Sequence, residues 1–128
     1  MYYVSKRMEI AGAHKLDLPY NSKCQNLHGH NWIVTVYCKA EKLSEPGMVI
    51  DFTLLKKLIH DQLDHHFIND VVTDNPTAEN MARWICDTLN NYFEDPYYDP
   101  RYSSYAECYK VEVQESEGNI AWYVKEDR

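Results

Sequence analysis

The chain has 128 residues, 45% of them apolar, which suits one domain with a single core, residues 1-128. Its 13 Lys and Arg against 20 Asp and Glu give a formal charge of -7, a poor match to a nucleic-acid backbone, so nucleic acid is excluded as a main partner. An anionic small molecule is still compatible, because a few cations or a metal reverse the field in one cleft.

No run approaches the roughly 20 apolar residues of a membrane span, and the start M-Y-Y-V-S-K-R lacks the basic-then-apolar order of a secretory signal, so a cytoplasmic protein is expected. In chain order, residues 2 to 10 alternate loosely, with Val4, Met8 and Ile10 on one side. A polar loop from about 15 to 27 follows. From 32 to 40, Trp32, Val34, Val36, Cys38 and Ala40 alternate against Ile33, Thr35, Tyr37 and Lys39, a second strand. Leu54, Leu55, Leu58, Ile59 and Leu63 then take helical spacing, as do Ala78, Met81, Ala82, Ile85, Leu89, Tyr92 and Phe93. Asn75 with Pro76 at the first helical position, or Thr77, would cap that second helix.

Residues 94 to 107 carry two prolines and four tyrosines without a period and read as a long ordered loop. Tyr109, Val111 and Val113, then Ile120, Trp122 and Val124, alternate on either side of S-E-G-N, a hairpin with Gly118-Asn119 at the turn. The order ββααββ predicts an α+β domain, a four-stranded antiparallel sheet with two helices on one face. Its open edges predict a homo-oligomer.

The chemistry concentrates in C-Q-N-L-H-G-H, residues 24 to 30. His28 and His30 lie two apart, so on extended chain they point to one side; His14 shares the parity of Ile10 and Met8 and meets them if the two strands pair as a hairpin. Three neutral imidazoles with an open fourth position are a catalytic zinc arrangement; the alternative is a histidine-rich turn. Cys24 has three readings: fourth zinc ligand, catalytic thiolate or buried apolar residue. The four cysteines contain no C-x-x-C, which argues against a disulfide framework. In L-D-H-H, residues 63 to 66, Asp64 and His65 cooperate only if the helix ends there and the chain turns; otherwise the histidines decorate a helix C-terminus. Glu115 continues the face of Tyr109, Val111 and Val113, where a carboxylate needs a partner, a ligand with adjacent N–H donors or an Arg, or a strand end that reaches water. Glu79 lies in a first helical turn, where it suits the dipole.

A-G-A-H (11 to 14), C-Q-N-L-H-G-H-N-W (24 to 32), G-M-V-I-D-F (47 to 52), L-D-H (63 to 65), N-P-T-A-E-N (75 to 80) and V-E-V-Q-E (111 to 115) together resemble the 6-pyruvoyl-tetrahydropterin synthase family, across nearly the whole chain. The short Cys24-to-His28 spacing and Asp51 are more similar to the bacterial 6-carboxy-tetrahydropterin synthases of queuosine biosynthesis than to the animal enzymes. The resemblance implies a tunnelling fold, in which sheets of three subunits close into a barrel and two trimers stack into a hexamer. It implies zinc on His14, His28 and His30, with Cys24 and the Asp64-His65 pair handling protons. Glu115 would anchor a pterin ring, with Thr77 and Glu79 near its pocket. The implied substrate is 7,8-dihydroneopterin triphosphate and the implied products are 6-carboxy-tetrahydropterin, acetaldehyde and triphosphate. The rival readings are a lyase that keeps the side chain as 6-pyruvoyl-tetrahydropterin, and a pterin-binding module with structural zinc and no turnover.

Overall fold

The computed structural model describes residues 1–95 and 106–126. Strands β1 (Tyr2–His14) and β2 (His28–Ala40) pair antiparallel without a break, from Tyr2 opposite Ala40 to His14 opposite His28. Opposed residues share a face, so Met8, Ile10 and His14 lie on the side of His28, His30, Trp32, Val34 and Val36. Both strands outrun the alternating stretches at 2 to 10 and 32 to 40. Pairing, rather than the modest strand preference of Gly12, Gly29 and the histidines, extends them.

Strand β3 (His66–Phe67) pairs parallel with Gly12 and Ala13, β4 (Glu107–Ser116) antiparallel with β2, and β5 (Asn119–Val124) with β4. The sheet order is β3-β1-β2-β4-β5. The α+β class stands, but the sheet is five-stranded and mixed rather than four-stranded and antiparallel. The added strand is two residues long inside the histidine run, too short to show a period of two.

The first helical segment, α1, covers residues 52–63: Phe52–Leu55 and Asp61–Leu63 are α-helical and Lys56–His60 is π-helical. The Asp61 N–H reaches back five residues to the Lys56 carbonyl, a widening often found at functional sites. Asp51 caps the segment, its Oδ1 accepting from the Thr53 N–H at 2.9 Å. The second helix, α2 (Ala78–Glu94), is capped by Thr77, whose hydroxyl oxygen accepts from the Asn80 N–H at 3.1 Å.

Both helices lay their apolar stripes on one face of the sheet. Leu54, Leu55, Ile59 and Leu63 of α1 and Met81, Ala82, Ile85, Leu89 and Phe93 of α2 are buried there with Trp32, Val34, Val36, Val111 and Val113. On β5 the parity runs the other way: Ile120, Trp122 and Val124 point outward and stay exposed, while Ala121 and Tyr123 pack inward. The hairpin turn is Glu117–Gly118, with Gly118 at φ 81°, and Asn119 already starts β5. Of the tyrosine-rich stretch, residues 96–105 lie outside the described residues. No helix among the described residues is long and apolar enough to cross a membrane.

All four cysteines are free thiols, and Cys38, Cys86 and Cys108 are buried. The hydrogen bond to Cys38, with burial behind it, pushes the Cys108 thiol up to about 12. Asn90 of α2 fixes the start of β4: its amide donates to the Cys108 carbonyl and its carbonyl oxygen accepts from the Cys108 N–H, each at 2.9 Å. Asn90→Ala strands the Cys108 N–H and leaves its carbonyl only the weak Cys86 thiol donor at 3.5 Å, and should cost about 2 kcal/mol. A urea midpoint unchanged from wild type would show that water or β4 itself replaces the clamp.

Candidate metal centre and active site

The register of β1 and β2 places His14 at the last position of one strand and His28 at the first of the other. Donor atoms of His14, His28, His30 and Glu115 all lie within 4.8 Å of one another. Ligands arranged tetrahedrally at about 2.0–2.1 Å from zinc stand about 3.3 Å apart, so the spacing fits one ion. Cys24 is not in this group.

Backbone carbonyls set the tautomers. His14 Nδ1–H donates to the Pro76 carbonyl at 2.8 Å, and His28 Nδ1–H to the Asn26 carbonyl at 2.7 Å. In the neutral rings each Nε2 is therefore a bare lone pair, and these two nitrogens face each other at 3.0 Å. Two acceptors at that distance repel unless a cation lies between them. His30 Nε2 is sealed from solvent without a hydrogen-bond partner; the Glu115 carboxylate is 3.0 Å away but off the hydrogen-bonding line. An orphaned buried nitrogen beside two opposed lone pairs fits a divalent metal, and the two carbonyls are the outer partners that metal-binding histidines ordinarily have.

Burial holds His14 and His30 below the usual histidine range. For His14 the Pro76 carbonyl opposes that effect, for His30 the Glu115 charge does. Both rings are thus kept neutral, the form that binds metal.

The helix end and the turn on which an Asp64–His65 contact depends are both present. α1 ends at Leu63, Asp64 is extended, and His65 turns into the left-handed region at φ 56°. Such a φ costs roughly 1 kcal/mol or more in a residue with a side chain and gathers at functional sites. It brings His65 Nε2 to 3.5 Å from Asp64 Oδ2, while His60 Nε2 approaches the same oxygen at 3.7 Å. Asp64 Oδ1 accepts from the Ala11 N–H at 2.9 Å, and the His65 N–H donates to the Ala11 carbonyl at 2.7 Å, which ties the pair to β1. A Cβ on Gly12 would stand 2.9 Å from Ile68 Cδ1, so the bare backbone lets this segment come close. A cavity of about 690 Å3 is lined by His30 and His65 together, with Ala11, Gly12 and Ala13.

The other expected residues are more dispersed. Cys24 is half-buried in a short 3-10 turn, Lys23–Gln25, four residues ahead of His28, and does not line that cavity. Thr77 has its hydroxyl engaged as the α2 cap, next to the Pro76 carbonyl that holds His14. Glu79 is exposed and lines a second cavity, of about 510 Å3, with Glu115, Ile120 and Trp122. Sequence reasoning missed the contribution of Pro76 and Asn26, which act through backbone oxygens that no residue type advertises. It also missed Glu115 as a neighbour of the histidines; its parity with Val111 and Val113 was the available signal.

Because the folded chain favours neutral His14 and His30, it binds fewer protons than the unfolded chain below the ordinary histidine value of 6.5. The stability this gives metal-free protein is full above that pH and is lost as pH falls below it. Urea midpoints of metal-free chain should therefore fall between pH 7.5 and 5.5, and less so in His14→Gln. A flat profile would contradict the neutral cluster.

A sequence model of the family described as 6-pyruvoyl tetrahydropterin synthase matches residues 3–126. The 6-carboxy-5,6,7,8-tetrahydropterin synthase of Synechocystis is 37% identical over 66% of this chain and 72% of its own. That of Haemophilus influenzae is 39% identical over 71% and 84%. The solved 6-pyruvoyl tetrahydropterin synthase of Caenorhabditis elegans has the same fold, with a TM-score of 0.71 at 26% identity over 98% of this chain and 96% of that one. With the family match running through both helices and the strands that carry the histidine cluster, the chain belongs to the 6-pyruvoyl tetrahydropterin synthase family.

Proposed function

We propose that the chain is a zinc-dependent 6-carboxy-5,6,7,8-tetrahydropterin synthase, taking 7,8-dihydroneopterin triphosphate to 6-carboxy-tetrahydropterin, acetaldehyde and triphosphate on the route to queuosine. The observation that carries this reading is the convergence of three histidine nitrogens beside a cavity that His65 also lines. The relatives named for the 6-carboxy reaction, at 37% and 39% identity, support it over the side-chain-retaining alternative.

His14, His28 and His30 would hold the zinc, which when bound supplies Lewis acidity that makes the substrate's side-chain hydroxyls easier to deprotonate. His65, steadied by the Asp64 carboxylate, takes or returns a proton at its imidazole. Cys24, on the turn that leads into His28, is the second proton-handling group. A binding module has no use for two such groups. Glu115 presents a carboxylate to the N–H groups of the pterin ring, and Thr77 and Glu79 border that end of the site. The edge of β5, and the length of β1 that the two-residue β3 leaves unpaired, suit assembly of sheets between copies, in keeping with a hexamer of two stacked trimers and active sites between subunits.

Zinc-loaded protein incubated with 7,8-dihydroneopterin triphosphate should yield the 6-carboxy product by mass spectrometry, with acetaldehyde alongside. A 6-pyruvoyl product would move the chain to the alternative lyase, and unchanged substrate would favour the binding module. Cys24→Ala and Asp64→Asn should each lose about 100-fold or more in turnover with fold and metal retained. Glu115→Ala should weaken pterin affinity roughly tenfold while the three histidines keep the metal. Wild-type turnover in Cys24→Ala would remove Cys24 from the chemistry.

A further inference from the structure

We infer that Lys15 is the anchor for a polyphosphate group, binding the triphosphate tail of the substrate at the cavity lined by His30 and His65. The assignment of that tail to a pterin rests on the function proposed above; the anion site itself rests on the cavity. Among the described residues its lining is Ala11, Gly12, Ala13, Gly29 and other neutral residues with His30, His65, His66 and Lys15, and no Asp or Glu. In a chain with 20 acidic against 13 basic residues, Lys15 sets a positive charge at this cavity, with the Glu115 carboxylate, 3.0 Å from His30, and the Asp64 carboxylate, 3.5 Å from His65, behind its lining.

Among the described residues, Lys15 is the one Lys or Arg that lines this cavity. Arg7, Lys56, Arg83, Lys110 and Lys125 each sit beside a carboxylate. Lys15 has no ion pair among the described residues, although Asp17 and Asp74 border a smaller cavity on its other side. Its charge is thus unspent, and its position is fixed. Asn69 accepts from the Lys15 N–H at 3.0 Å and donates to the Lys15 carbonyl at 2.9 Å, clamping the backbone at that one residue. Because Lys15 directly follows His14, the separation between anion anchor and histidine cluster is set by the end of β1 rather than by loop motion. A compact ammonium on a flexible stem suits successive phosphates that differ in position.

The test titrates inorganic tripolyphosphate by calorimetry into the full chain as purified, wild type against Lys15→Ala and Lys15→Arg, with turnover of 7,8-dihydroneopterin triphosphate measured in the same three proteins. Any tripolyphosphate drawn to metal is common to all three, so the difference isolates Lys15. Lys15→Ala should bind tripolyphosphate roughly tenfold more weakly and Lys15→Arg close to wild type. KM for the triphosphate ester should rise with kcat little changed. Equal tripolyphosphate binding by wild type and Lys15→Ala, or none by either, overturns the site, and normal turnover in that case leaves the proposed function standing. Lys15-dependent binding without turnover in any of the three keeps the anion site and removes the synthase reading.

Discussion

Everything at the site depends on the register of β1 against β2. Side chains alternate faces along a strand, so a slip of one residue would send His28 and His30 to the outer face, away from His14. The actual register sets His14 opposite His28 and leaves His30 opposite Gly12, which has no side chain to crowd it. Trp32, fully buried one step along β2, holds that register from below. Its indole N–H donates to the Gly12 carbonyl at 3.1 Å, and its ring meets those of His14 and His30 edge-on at 4.8 and 5.0 Å. The histidine cluster is thus an extension of the hydrophobic core, and the packing that stabilises the fold also aims its rings.

The same strand end carries the strained part of the molecule. Ala11 of β1 uses both its backbone groups on the Asp64–His65 pair, one to the carboxylate and one to the His65 N–H. Those two bonds offset the left-handed conformation of His65, whose side chain remains 83% exposed and free to meet a ligand. The loop after His14 is restrained by side-chain amides, with Asn69 holding Lys15 and Asn75 holding Asp17 at both N–H and carbonyl. An irregular segment is in this way made nearly as fixed as a strand, which a site assembled across a loop requires.

Much of this was legible before any coordinates. The period of two in Trp32 to Ala40 and the period near 3.6 in Ala78 to Phe93 come from burial on one face, and burial is what the fold delivers. The histidine convergence followed from parity and one assumed hairpin. What escaped were features without a residue-type signal: the two-residue β3, the π-helical turn, and the carbonyls of Asn26 and Pro76 that fix the tautomers. The turn at Gly118 was displaced by one residue, and the apolar set on β5 proved outward-facing. The second follows from the irregular register where Gln114 gives way to Ser116, which sets Val113 opposite Ala121. Cys24 was the opposite case, since its motif predicted a place in the chemistry while the single chain sets its turn outside the cavity.

The central claim is that His14, His28 and His30 together hold one zinc ion. X-ray absorption at the zinc edge of freshly loaded protein tests it most directly. Three imidazole nitrogens at about 2.0–2.1 Å with one further oxygen neighbour are predicted, and a shell that loses one imidazole in His28→Ala. A sulfur neighbour near 2.3 Å, or a spectrum with no imidazole scattering, would contradict the account.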